Sequence, residues 1–193
     1  MVERFAQLCD DRPGTRLADL GCGPGNISFR LARRWPAASV LGIDGAARML
    51  AVAAQRLVAE PALQGRLHFQ QALLPLAQPT PLAGRFDAVV SNSLLHHLHD
   101  PLALWRAATQ LAAPGGLVYV QDLRRPATEA ALEGLVLTSM AKAPEVLRRD
   151  YRASLHAAFT PAEVRDQLAQ AGVAGLQVQS IGDCYLEVWG RLP

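Results

Sequence analysis

The chain has 193 residues, half of them apolar, with 19 Lys+Arg against 17 Asp+Glu and a formal net charge of +2. That composition excludes a disordered chain, and the length suits one domain able to bury a sizeable core. So small a charge gives no general attraction to nucleic acid or to an anionic membrane, and no run approaches the ~20 apolar residues of a membrane helix.

Short apolar runs alternate with helical patterns. Arg16–Leu20 reads as a strand ending at a glycine cluster, and Asn26–Arg34 as a helix with Ile27, Leu31 and Ala32 on one face, stopped by Pro36. Ser39–Ile43 is a second strand. Ala46–Val58 is a helix with Met49, Leu50, Ala53 and Leu57 spaced for burial. Arg66–Gln70 and Phe86–Ser91 follow as strands, then a helix over Pro101–Leu111 with Asp100 as N-cap, then a strand over Gly116–Gln121. Nearly continuous apolar strands separated by helices imply a parallel sheet covered on both faces, and right-handed crossovers make it doubly wound.

The rhythm then changes. About thirty residues of helical pattern, Pro126–His156, carry no strand. Thr160-Pro161-Ala162-Glu163 opens a helix with a capping box. Leu176–Ile181 and Tyr185–Trp189 close the chain as two strands joined through Gly182-Asp183-Cys184. The expected architecture is α/β: a doubly wound, mostly parallel, seven-stranded sheet in one domain, with a helical insertion after strand five over about residues 124–158. Ligands of such folds bind outside the carboxyl ends of the strands, so the insertion is positioned as a lid.

Asp19-Leu20-Gly21-Cys22-Gly23-Pro24-Gly25 follows the first strand and opens a helix, and Asp44 ends the second strand. Glycines allow a sharp turn and close backbone approach to a ligand. An acid at Asp44 can accept hydrogen bonds from both ribose hydroxyls of an adenosine. The spacing is G-x-G-x-G, with Asn26 where a dinucleotide site has its third glycine. Asp19, just before the loop, would repel phosphates and suits a cationic ligand. The cluster therefore favours S-adenosyl-L-methionine over a nicotinamide dinucleotide.

The sequence resembles the class I S-adenosylmethionine-dependent methyltransferases, in particular their small-molecule members. The stretches that carry the resemblance are LADLGCGPGN (17–26), VLGIDGAARML (40–50), FDAVVSNSLLHHLHDP (86–101) and LAAPGGLVYVQDL (111–123). The resemblance implies the Rossmann-like methyltransferase fold and methyl transfer from S-adenosyl-L-methionine, with S-adenosyl-L-homocysteine as product. It implies that Gly21, Gly23 and Gly25, with Asn26, pass under the methionine part and ribose. Asp19 would hold the amino group and Asp44 the ribose hydroxyls. Gly45 and Met49 would lie near the adenine, and Asn92 and Ser93 near the methyl group. Members usually carry an acid after the third strand for the adenine amino group. This chain has Gln71 and Ala72 there, so the Gln71 amide or a backbone carbonyl takes that place.

His96-His97-Leu98-His99-Asp100 lies after strand four without the helix-face spacing of a metal site. The resemblance sets His96 or His97 near the methyl group, where one could act as a base. The insertion holds six basic residues against four acidic ones. Arg124, Arg125 and Arg152 are candidates to grip an anionic acceptor, with Tyr151 a further candidate beside the reacting atoms. Asn92-Ser93-Leu94-Leu95 is not the N-P-P-[YF] loop used on amide or base amino groups, and aromatics do not interleave with a basic stripe, so nucleic acid is not expected as substrate. Cys9, Cys22 and Cys184 form no disulfide or zinc pattern, and the first residues show no secretory signal, so a cytoplasmic protein is expected. Nothing in the sequence sets an oligomeric state or the acceptor atom. A non-catalytic cofactor-binding domain and a macromolecular acceptor are the alternatives.

Overall fold

The computed structural model describes residues 1–193. Seven strands form one sheet: β1 (Arg16–Leu20), β2 (Ser39–Asp44), β3 (Leu67–Gln71), β4 (Phe86–Asn92), β5 (Ala112–Leu123), β6 (Gln177–Ile181) and β7 (Tyr185–Arg191). Their order is β3-β2-β1-β4-β5-β7-β6. The first five are parallel, and β7 runs antiparallel to both β5 and β6, so the sheet is mixed. The chain builds leftward from β1 through β2 and β3, then rightward from β4, so adjacent strands β1 and β4 send their connections to opposite sides. A crevice opens at their carboxyl ends, where ligands of such sheets bind.

The helices are α1 (Val2–Leu8), α2 (Asn26–Arg34), α3 (Ala47–Val58), α4 (Leu102–Leu111), α5 (Glu129–Ser139), α6 (Glu145–Ala157) and α7 (Pro161–Gln170). One sheet face buries Val2, Phe5, Leu31, Ala32 and Trp35 of α1, α2 and the turn after it against Leu17, Val40, Val90 and Tyr119. The other buries Leu104, Trp105, Leu111, Val164 and Leu168 of α4 and α7 against Ala18, Val89, Val118 and Val188. Each large apolar side chain removed from water in this way contributes roughly 1.5–3 kcal/mol. Trp105 also needs a partner for its indole N–H, and Gln167 accepts it at 3.0 Å, pinning α4 to α7.

Local chemistry explains most boundaries. Arg33 and Arg34 occupy the last turn of α2, where positive charge complements the helix dipole, and Trp35, held extended before Pro36, ends it. The capping box of α7 is complete: Thr160 accepts from the Glu163 N–H, and Glu163 accepts from the Thr160 N–H at 2.7 Å. Helix α4 starts one residue later than the sequence pattern suggests: Pro101, not Asp100, holds the N-cap position, and Asp100 sits just outside the helix, accepting from the Leu102 N–H at 3.0 Å.

Two expectations are corrected. Strand five starts at Ala112 rather than Gly116, because Ala112 already pairs with Phe86 before a bulge absorbs the Pro114-Gly115-Gly116 break. In α3 only Ala53 is fully buried, and Met49 is 48% exposed. This helix covers the outer strands, and its first turn overhangs the open carboxyl ends, where the sheet offers no surface to bury Met49.

The segment after β5 is helical as expected and has a closed neck. Arg124 bridges Phe159 in parallel fashion, so entry and exit meet. Between them α5 and α6 bury Leu132, Val136 and Leu155 with Leu123 and Cys184 in a small separate core. No helix is long and apolar enough to cross a membrane.

Candidate functional site

At the carboxyl ends of β1 and β2 lies a cleft of about 200 Å³, floored by Leu20, Ile43, Leu94 and Leu98 and edged by Gly21, Asp44, Gly45, Ala72 and Leu73. The glycine loop closes one side. Its backbone turns back on β2, with the Gly21 and Cys22 N–H groups both donating to the Ile43 carbonyl. The three glycines have different jobs. A Cβ on Gly21 would fall 2.8 Å from Leu94, and one on Gly25 would fall 2.9 Å from Phe69, so those two make room for packing. A Cβ on Gly23 would meet no atom within 4 Å, and its φ of +53° is a left-handed conformation natural to glycine. Gly23 thus leaves an open face.

Asp44 stands opposite. Its Oδ2 accepts the Gly23 N–H and its Oδ1 the Ala46 N–H, each at 2.7 Å. These bonds fix the carboxylate plane, while each oxygen keeps a further lone pair for a hydroxyl donor. The Ala72 N–H donates to the Asp44 carbonyl, and the Gln71 side-chain amide donates to the Gly45 carbonyl at 3.0 Å. Gln71 and Ala72 therefore hold the edge of the cleft, with Leu73, 74% exposed, forming an apolar lip.

Asp19 is placed differently from Asp44. It is 1% exposed beneath the loop, where the Ser28 hydroxyl donates to it at 2.5 Å. Burial raises its pKa to about 7 against the pull of that hydrogen bond. Burial also pushes the neighbouring Cys22 thiol far up, with Asp19 and Asp44 adding to the effect, so Cys22 is a packed, unreactive thiol. Asn26 faces outward and accepts from Arg56 of α3 at 2.7 Å, stapling the loop to that helix.

Past β4 the chain turns sharply. Ser93 has φ +55°, and Asn92 donates to its hydroxyl at 3.0 Å. A 3₁₀ turn over Leu95–His97 follows. His96 is buried, with Nδ1 2.5 Å from Asp122 Oδ1. The His97 ring leans on it with centroids 4.0 Å apart. Burial, and then the charge of His96, hold the His97 pKa below the usual value. Helix α6 packs against this turn, bringing the insertion to the histidines.

The structure does not bring the arginines of the insertion together at the cleft. Arg124 donates to the Asp183 carbonyl at 2.6 Å. Arg125 pairs with Glu163, and Arg152 pairs with Glu133 through two bonds of 2.5 and 2.9 Å. None of them, nor Tyr151, lines the cleft. The Tyr151 hydroxyl instead lies 3.5 Å from the Cys184 sulfur within the small core of the insertion. Sequence reasoning missed Asp122, the partner of His96. Its signal was an acid near the carboxyl end of a largely apolar strand.

The family model for the methyltransferase domain matches residues 18–118, just over half of the chain, and the protein belongs to that family. A trans-aconitate 2-methyltransferase of Streptomyces avermitilis is 39% identical over 57% of this chain and 39% of its own length. A ubiquinone biosynthesis O-methyltransferase of Leptothrix cholodnii is 37% identical over 58% of this chain and 46% of its own. The chain thus spans less than half the length of these curated relatives. The crystal structure of a SAM dependent methyltransferase from Aquifex aeolicus superposes with a TM-score of 0.71 at 16% identity, covering 99% of this chain and 89% of that one. The shared architecture is therefore the methyltransferase fold.

Proposed function

We propose that the protein is an enzyme transferring the methyl group of S-adenosyl-L-methionine to a small-molecule acceptor, releasing S-adenosyl-L-homocysteine. The observation that carries this reading is the open face of Gly23 opposite the fixed carboxylate of Asp44, at the mouth of an apolar cleft. A nucleoside fits that pairing: hydroxyls toward Asp44, ring toward Ile43, Ala72, Leu73 and the exposed Met49. Gln71 and Ala72 would meet the adenine edge through the side-chain amide oxygen or backbone. Gly21, Gly25 and Asn26 hold the loop in shape, and Asp19 beneath it favours a cationic centre above. Asn92 and Ser93 border the inner end. Bound there, the cofactor supplies a methyl group on a positively charged sulfur, the electrophile of an in-line displacement.

The protein's share of the work is alignment and water exclusion. Residues 1–193 act as one domain, with about 124–158 as the lid. Arg124, Arg125 and Arg152, each already engaged, serve this reading as struts of the lid rather than as an anion grip. Tyr151 lies in the lid core, and His96 and His97, on the turn between the cleft-lining Leu94 and Leu98, are the groups we assign to take a proton. The names of the two relatives record small acceptors, which supports the same class here and not nucleic acid. Free Cys9, Cys22 and Cys184 suit a reducing compartment, and the cytoplasm is our assignment. Isothermal titration with S-adenosyl-L-homocysteine and, separately, NAD tests the reading. Micromolar binding of the first alone is expected, and binding of NAD alone overturns it.

A further inference from the structure

Three of the four crossovers between parallel strands carry a helix, namely α2, α3 and α4. The fourth, residues 72–85 between β3 and β4, carries none, because Pro75, Pro79 and Pro81 remove backbone donors that a helix needs. Leu76 and Leu82 of this loop pack into the α4-side core, but a loop covers less of the sheet than a helix does. Strand alternation puts Arg16, Ser39 and Leu41 on that same face with Ala18 and Ile43. It sets His68 there too, between Leu67 and Phe69, which pack into the opposite core. The register places Arg16 beside Ser39, and Leu41 beside His68. The uncovered part of the face is a pocket of about 310 Å³, with Leu41, Leu82 and Phe86 as apolar walls and Arg16, Arg85 and His68 around them. The Ser39 hydroxyl donates to the Thr15 carbonyl at 3.2 Å. Arg16 comes no closer than 3.8 Å to Asp87 Oδ1, while Asp87 Oδ2 accepts the Thr15 and Arg16 N–H groups at 2.8 and 2.9 Å. Arg85 is held through its backbone N–H, which donates to the Leu111 carbonyl at 2.9 Å, and its guanidinium is left free, as is the His68 ring.

We propose that this pocket is a second ligand site, independent of the methyl-transfer reading, and that it takes a small monoanion: a carboxylate on a flat aromatic body. The guanidinium forks of Arg16 and Arg85 suit the paired oxygens of a carboxylate, and the ring lies against Leu41, Leu82 and Phe86. Two guanidinium groups against the single Asp87 carboxylate leave one positive charge for the ligand to match. An inorganic anion would satisfy the arginines and leave the apolar walls wet. The pocket is not where an acceptor meets the cofactor. It lies at the amino ends of β1 and β2, and the cofactor cleft lies at their carboxyl ends, roughly 13 Å away along β1 at about 3.3 Å per residue. The two share no lining residue, so ligand and cofactor bind together.

The probe is 2-naphthoate, compared with 2-naphthalenemethanol, acetate and inorganic phosphate. Each is titrated into the whole protein, with and without saturating S-adenosyl-L-homocysteine, by calorimetry and by nitrogen-15 NMR. Naphthoate should bind with a Kd below about 0.5 mM and shift the amides of Ser39, Leu41, His68 and Arg85 together with the Arg16 and Arg85 Nε–H signals. Arg16→Gln and Arg85→Gln should each weaken it by about fivefold or more. The alcohol, which lacks the charge, and acetate and phosphate, which lack the body, should bind at least about tenfold more weakly. S-adenosyl-L-homocysteine should leave the naphthoate Kd within about twofold, a smaller change than any of these. Arg16 and Arg85 are both exposed, so their replacement leaves the core untouched, and the comparison among the four compounds needs no variant. Absence of shifts at these residues at about 2 mM naphthoate overturns the proposal, since a site with the stated Kd is then mostly filled. Displacement of naphthoate by S-adenosyl-L-homocysteine, equal affinity for any of the three comparison compounds, or parental affinity in both variants overturns it as well. Failure to bind S-adenosyl-L-homocysteine counts against the methyl-transfer reading alone, and the titration without it still decides this proposal.

Discussion

Gly23→Val separates the folding role of the glycine loop from its binding role. The position has φ +53°, so any L side chain there pays the left-handed penalty of about 1–2 kcal/mol. No further packing penalty arises, because the new Cβ meets nothing within 4 Å. For a chain of this size the melting temperature should fall by about 2–8 °C, leaving a folded protein at room temperature. The valine methyls would fill the open face opposite Asp44, so affinity for S-adenosyl-L-homocysteine should fall by about 100-fold or more, equivalent to ~2.8 kcal/mol. Gly21→Val is the control. It adds a clash with Leu94 at 2.8 Å, worth roughly a further 1–3 kcal/mol, and should lose stability first. Thermal unfolding by circular dichroism and isothermal titration measure the two quantities. A folded Gly23→Val protein that binds within threefold of the parent refutes the reasoning, since the ligand then does not cross this loop.

Other expectations follow from the same geometry. Asp44→Ala removes a charged acceptor worth roughly 1.5–3 kcal/mol to a hydroxyl-bearing ligand, so affinity should drop at least about tenfold; parental affinity in titration would take Asp44 out of the site. Asp19 has a folded-state pKa near 7 against an ordinary 3.8, so its contribution to stability is fully present below about pH 4 and is lost as pH rises through about 7. That loss is at most about 4 kcal/mol. Asp19→Asn should flatten this part of the pH–stability curve of the ligand-free protein, and denaturant melts at pH 5 and 8 showing the same change as the parent would contradict it. Arg152→Ala breaks the α5–α6 pair with Glu133, a partly exposed bridge, so hydrogen exchange across residues 126–156 should quicken while cofactor affinity stays parental. A rise in acceptor KM with unchanged lid exchange would restore Arg152 to the acceptor site.

What was legible in the sequence was whatever local chemistry dictates. The strands at Arg16–Leu20 and Phe86, the α2 span, the capping box at Thr160 and the hairpin through Gly182 rest on apolar period, caps and turn residues, and they stand where the pattern set them. The glycine loop and Asp44 were legible too, because a turn from strand to helix with a terminal acid on the next strand is a local device. Tertiary structure alone decided the rest. Which of three glycines faces open space depends on Leu94 and Phe69, which arrive from other strands and loops. The arginines of the insertion looked free in sequence, but carboxylates and carbonyls brought by folding already occupy them. Met49 lost its expected burial because α3 overhangs the sheet edge. Asp122 and His96, 26 residues apart, meet only because parallel β4 and β5 end side by side, and no sequence period records the neighbour across a strand pair.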